Sequence, residues 1–179
     1  MKNFDEYKLV KSNDPILREK CKPFDFDNVP IDPLDLQDIF KHHLLDKNAL
    51  GVSASQFGLP YRVFAIQDYE EKNVGMIFNP NIVNFSEETS MEEEGCLSYP
   101  GLYVKIRRSK EIRMRWTNQF GEVNTSKFTG VTARIFQHEY DHLNGIVFHS
   151  RANHYHLDLA KRKKHNFDKY ISKVTSEKP

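Results

Sequence analysis

His138-Glu139-Tyr140-Asp141-His142 is the stretch on which the reading of this chain turns. Residues four apart on an α-helix lie on one face, about 6 Å apart along the axis. Two imidazoles placed that way can converge on one metal ion, and Glu139 beside them can carry a proton. The reading requires a helix, which should follow Gly130 and stop at Asn144-Gly145, a common C-terminal signal. Val131 and Ile135 fall on the histidine face and are expected to carry it inward toward the core.

Two imidazoles are not a complete site, since a catalytic zinc-like ion usually has three protein ligands and an open position. The candidate third ligand is Cys96, in Glu94-Gly95-Cys96-Leu97-Ser98, a segment with no apolar periodicity to bury a cysteine. Cys21 reads instead as a small buried hydrophobe. Upstream, a helix is expected from Asp32, with Pro33 in its first turn and Leu36, Ile39, Phe40 and Leu44 as the buried stripe. Residues 61–67 and 76–83 read as strands around a polar turn near 70–73. Ile112, Met114 and Trp116 alternate with Arg113 and Arg115, the period of a half-buried strand, and residues 118–121 look like a hairpin into 122–128. A last amphipathic segment carries Phe167, Tyr170, Ile171 and Val174 on one face. Strands in the middle with helices outside them give an α+β class, with antiparallel sheets around the helix that carries H-E-x-x-H.

The chain has 179 residues, room for one domain over 1–179, with 150–179 a basic and helical tail. With 26 Lys+Arg against 25 Asp+Glu the net charge is +1, which removes the global signature of a nucleic-acid binder; no DNA partner is expected. Two cysteines make no disulfide scaffold and suit a reducing compartment. The charged start lacks an apolar signal region, and no run of about 18 apolar residues could span a membrane. A cytoplasmic protein, without membrane attachment and monomeric, is the expectation.

With these residues in view, the sequence resembles the peptide deformylase family. The family's three signatures are G-x-G-x-A-A-x-Q, E-G-C-x-S and Q-H-E-x-D-H. Here they read Ala49-Leu50-Gly51-Val52-Ser53-Ala54-Ser55-Gln56, then residues 94–98, then 137–142. The second and third match at every defined position. The first departs twice, with Ala49 in place of Gly and Ser53 in place of Ala. Glu92 is a further departure if it lines the methionine pocket, where an apolar residue is common.

The resemblance implies a deformylase-like α+β fold and removal of the N-formyl group from the initiator methionine of nascent polypeptides, releasing formate. It implies Cys96, His138 and His142 as metal ligands and Glu139 as the acid/base, with metal-bound water attacking the formyl carbon. The Gln56 amide and the Leu97 N–H would stabilise the oxyanion, and Gly51 and Leu50 would line the substrate site. The implied ion is Fe²⁺, with Zn²⁺, Ni²⁺ or Co²⁺ able to substitute, since His and Cys suit all four. Asp141 is assigned Arg108 as partner, with Arg107 one residue away as the alternative; Gln137 could make either a structural bond or a site contact.

Two other readings stand beside this one. A zinc endopeptidase also uses H-E-x-x-H, but no downstream His or Glu follows, and the third ligand candidate is an upstream cysteine. A non-catalytic ribosome-associated relative would have no need of an intact Glu139 and Gln56. The acidic residues 87–88 and 92–94 read as a solvated loop, with Glu94 the exception that braces the site. Lys161-Arg162-Lys163-Lys164 reads as a solvated helix face or as a ribosome contact.

Overall fold

Asp32 starts the first helix, α1 (Pro33–Lys47), by accepting hydrogen bonds from the N–H groups of Leu34 and Asp35 at 2.8 and 3.3 Å. Pro33 occupies a position where no N–H is needed. Leu36, Ile39, Phe40 and Leu44 are buried, as their spacing predicts, and Asn48 ends the helix at a left-handed φ of 49°. In this computed structural model the described residues are 7–67 and 73–176.

Strands β1 (Gly51–Ser53), β2 (Val63–Gln67), β3 (Val74–Phe85), β6 (Glu111–Thr117) and β7 (Val123–Thr129) form one antiparallel sheet in the order β1-β2-β3-β6-β7. Strands β4 (Thr89–Glu94) and β5 (Val104–Ser109) form a separate antiparallel ribbon. The expected strands at 61–67 and 76–83 are β2 and β3, and of the expected turn, residues 70–72 lie outside the described residues. On β6, Ile112 and Met114 are buried and Arg113 and Arg115 exposed, which is the predicted alternation. The hairpin at 118–121 is tied by Asn118, whose side-chain oxygen accepts from the N–H groups of Phe120 and Glu122, both at 3.0 Å. The acidic run 92–94 is not a loop. It is half of the β4–β5 ribbon, where Glu93 and Glu94 pair in register with Lys105 and Val104.

Helix α2 (Gly130–Leu143) lies between the large sheet and the ribbon, touching β1, β2, β6 and β7 on one side and β5 on the other. Phe136 fixes it on the sheet, edge-on to Phe64 at 5.3 Å and stacked on Phe128 at 4.2 Å. The expectation for Val131 and Ile135 is corrected here: Val131 is exposed, Ile135 only half-buried, and both line a cleft. The helix turns its apolar core face toward Phe64 and Phe128, so the histidine face is left to the cleft and the ribbon.

After a 3-10 turn (Phe148–Arg151), helix α3 (His154–Ser176) docks Leu157 and Ala160 against Val104, Ile106 and Phe148. Its later apolar residues, Phe167, Tyr170, Ile171 and Val174, are exposed. Among the described residues no helix is long and apolar enough to cross a membrane.

The end of α2 is locked to the N-terminal segment. Cys21 N–H donates to the Leu143 carbonyl at 3.0 Å, and Gly145 turns the chain at φ +68°. A Cβ on Gly145 would stand 2.5 Å from the Arg18 carbonyl oxygen and 2.6 Å from its carbon, backbone atoms that cannot swing away. Gly145→Ala combines that overlap with an unfavourable φ and is expected to cost about 3 kcal/mol. Thermal melts should show a fall of roughly 6–12 °C for a chain of this size.

Candidate active site

A cleft of about 700 Å³ opens between the ribbon, α2 and the segment from Lys47 to Gly51. Gln56, Cys96, Leu97, His138 and Glu139 line it, together with Leu50, Gly51 and Glu92. Of the candidate catalytic, substrate-binding and metal-ligating residues, the structure thus brings all to one cleft except His142, which is buried one turn beyond His138 on α2.

Cys96 follows the end of β4, and α2 presents His138 and His142 one turn apart. One side-chain atom from each lies within 4.8 Å of the others, and Cys96 Sγ is 3.2 Å from His142 Nε2. Around a tetrahedral zinc-like ion, a sulfur and an imidazole nitrogen ligand stand about 3.5 Å apart. One thiol and two imidazoles also form a donor set suited to Fe²⁺, Zn²⁺, Ni²⁺ or Co²⁺. His138 Nδ1 is held by Glu94 Oε2 at 3.0 Å, which leaves Nε2 as the nitrogen available to an ion.

The electrostatics favour a cation here. Burial pushes His138 down, but bonds to Cys96 and Glu94 and the nearby Glu139 carboxylate outweigh it and raise its pKa to about 10. His142 is held well below its ordinary value, first by burial and then by His138 and Arg108. Its imidazole is therefore neutral, the form that could hold an ion, whereas His138 would have to release its proton for one to bind.

Glu139 is almost wholly buried in the cleft wall. Burial raises its pKa, opposed by His138 and by a hydrogen bond from Ser53. Ser53 Oγ donates to Glu139 Oε2 at 2.5 Å. Gly51 makes room for this carboxylate: a Cβ there would lie 2.7 Å from Glu139 Oε1 and 2.9 Å from Ile135 Cγ2. Gln56 sits in a short 3-10 turn (Ala54–Phe57) after β1. Its Oε1 accepts from the Ser53 N–H at 2.9 Å, so its amide nitrogen must face the other way, toward Ser98 Oγ at 3.0 Å and Cys96 Sγ at 3.6 Å.

Beneath the site runs a chain of alternating charge, buried except at its outer end, Arg151, which is exposed. Arg134 Nη1 donates to Glu94 Oε1 at 2.6 Å, and Arg108 grips Glu94 with two bonds of 2.9 Å. Arg108 Nη1 also reaches Asp141 Oδ2 at 2.5 Å, and Arg151 Nη2 reaches Asp141 Oδ1 at 2.6 Å. Burial works against the Glu94 carboxylate, but His138 and Arg108 overcome it and hold its pKa at about 2. Arg108 is thus the partner of Asp141, while Arg107 is exposed and bonds Thr89 Oγ1. Gln137 makes structural bonds, donating to the Ser109 carbonyl and accepting from its N–H.

Sequence reasoning missed Arg134, Arg151, Ser98 and the bond made by Ser53. Arg134 was findable, since it stands four residues before His138 and so shares its face. Ser98 is a defined position of E-G-C-x-S. Arg151 gave no signal, because only the fold brings it to Asp141.

Comparison with known proteins places the sequence and the fold in one family. The Polypeptide deformylase family model matches residues 6–157. A peptide deformylase of Thermotoga petrophila is 37% identical over 150 residues, covering 82% of this chain and 87% of that protein. A crystal structure of a variant of Arabidopsis thaliana peptide deformylase 1B superposes with a TM-score of 0.80 at 30% identity, covering 94% of this chain and 93% of that one. A class I type b peptide deformylase from Acinetobacter baumannii, bound to Met-Ala-Ser, gives 0.71 at 30% identity over 80% and 96%. On a match that spans most of its length in both sequence and fold, this chain belongs to the polypeptide deformylase family of enzymes.

Proposed function

We propose that this chain removes the formyl group from the initiator methionine of nascent polypeptides, using a divalent ion held by Cys96, His138 and His142. The observation that carries the proposal is the buried Glu139 carboxylate beside that cluster, at the wall of a cleft open to a peptide. The family gives the coarser statement, deformylation of nascent peptides; the residues below give it a mechanism.

When bound, the ion supplies a Lewis acid for the formyl group and for water. Glu139 accepts the proton from the attacking water and returns it to the departing amine. Its buried position, which raises its pKa, makes it a better base than an exposed glutamate. The Gln56 amide, aimed by the Ser53 N–H, and the Leu97 backbone N–H donate to the oxygen on which charge develops. Leu50 and Gly51 form the wall along which the substrate backbone runs. The cleft has room for the first residues of a peptide, in keeping with the tripeptide bound by the Acinetobacter relative.

The test is formate release from formyl-Met-Ala-Ser by protein purified without oxygen and loaded with Fe²⁺, Ni²⁺ or Zn²⁺ in parallel. Metal-dependent release is expected, with Fe²⁺ as the cellular ion. No release by protein carrying one ion per chain would overturn the proposal.

The basic stretch 161–164 on α3 extends the proposal to the place of action, a contact with ribosomal RNA near the nascent chain. Lys164 is tied to Asp168 at 2.7 Å and Lys163 lies 3.8 Å from Glu93, whereas Lys161 and Arg162 make no ion pair among the described residues. Neutralising all four is expected to weaken ribosome binding at least about tenfold and to flatten its salt dependence. Binding that salt does not affect would remove this part of the proposal.

A further inference from the structure

We infer that Ser53 is a positioning residue for Glu139, the anchor that fixes the general base in its working orientation; the inference rests on the proposed deformylase reading. Ser53 stands where the family signature has alanine, a side chain with no hydroxyl to give. Its backbone is set by the sheet, as the last residue of β1 paired with Phe64 of β2, and its side chain is wholly buried. From that fixed point its Oγ donates to Glu139 Oε2 at 2.5 Å. Among the described residues it is the one hydrogen-bond donor to this carboxylate.

The consequence follows from the two faces of the carboxylate. Oε2 is tied to Ser53, whereas Oε1 lies against Gly51, the residue that lines the cleft and lacks a side chain to crowd it. A glutamate has three torsions, so an untethered Glu139 would spread over several orientations. Proton transfer needs one of its oxygens within hydrogen-bond reach of the water. Ser53 removes that search by holding one oxygen and leaving the other for the proton. The same residue also aims Gln56 through its backbone N–H. That second bond comes from the main chain and survives Ser53→Ala, which deletes the Glu139 anchor and the Oγ acceptor that caps the Gln56 N–H; the Glu139→Ala background separates the two.

Ser53 does not reach the cleft, so Ser53→Ala is expected to lower kcat for formyl-Met-Ala-Ser by about tenfold with KM changed less than twofold and one ion still bound per chain. A buried hydroxyl with only a structural role would lower the rate equally whatever stands at position 139. In a Glu139→Ala background, therefore, adding Ser53→Ala should alter the residual rate less than twofold. An equal loss in both backgrounds, an unchanged kcat in the single variant, or a loss carried by KM would overturn the inference. Infrared difference spectra of ¹³C-glutamate-labelled protein provide a readout free of turnover. The carboxylate band that Glu139→Ala removes should shift in Ser53→Ala, and an unshifted band would also overturn the inference. A shift in protein that releases no formate would reject the deformylase reading while leaving the anchor in place.

Discussion

Replacing Glu139 with alanine is expected to reduce formate release by at least two orders of magnitude, while the ion stays bound at one per chain. The side chain lies beside the Cys96, His138 and His142 cluster but is not part of it, so its loss does not remove a ligand. What goes is the group that takes the proton from water and delivers it to the amine, and positioned acid/base groups typically contribute about 10²–10⁴-fold. The fold should survive, because the deletion relieves a buried charge whose proton burial already favours. Formate release and metal content, measured on the same preparation, check both halves. Loss of ion and activity together would make Glu139 a structural support of the centre instead.

The second large effect is on stability. Arg108→Met is expected to destabilise the chain by about 3 kcal/mol, the low end of the range for breaking a buried ion pair. Arg108 is 5% exposed and sits between Glu94 and Asp141, both also buried. Its removal leaves two carboxylates facing each other without the cation between them. The cost stays at the low end because Arg134 still holds Glu94 and Arg151 still holds Asp141. Denaturant unfolding measures the loss, and Arg107→Met is the matched control. Its side chain is exposed and, among the described residues, bonds Thr89 alone, so a change within about 0.5 kcal/mol is expected there.

The contrast between these two neighbours also shows how much the sequence discloses. Val104, Ile106 and Arg108 share the buried face of β5 while Lys105 and Arg107 point outward, so the alternation that reveals an apolar strand also selects the right arginine. Helix α1 was legible for a similar reason, since its cap and its stripe are local signals that the core reinforces. Strand β4 was not. Glu92, Glu93 and Glu94 carry the same charge on both faces, which erases the period of two, and what makes Glu94 an inward residue is a pair of arginines on β5 and α2.

The candidate site divides along the same line. His138, Glu139 and His142 fall in one motif whose spacing can be read directly, and Cys96 in a segment that its flanks mark, whereas Gln56 and Gly51 come only from the resemblance to the family signature. The outward turn of Val131 and Ile135 depends on how α2 is rotated by Phe136, and periodicity fixes a face without saying what the face meets. Ser53 was visible only as a departure from a signature; its bond to a residue 86 positions away exists only once β1 lies beside α2.

The chain of alternating charge under the cleft has a consequence for how this sequence can drift. Each of Glu94, Arg108 and Asp141 touches links of opposite sign on both sides, so any single change leaves a neighbour unbalanced in a medium that cannot screen it. A library randomised at Arg108 alone should return arginine almost exclusively. Randomising Glu94, Arg108 and Asp141 together opens a different solution, a well-packed apolar trio of similar volume, which gives a folded chain with its His138 brace gone. The trio is thus a single heritable unit, reachable from its alternatives only through intermediates that fold less well than either end.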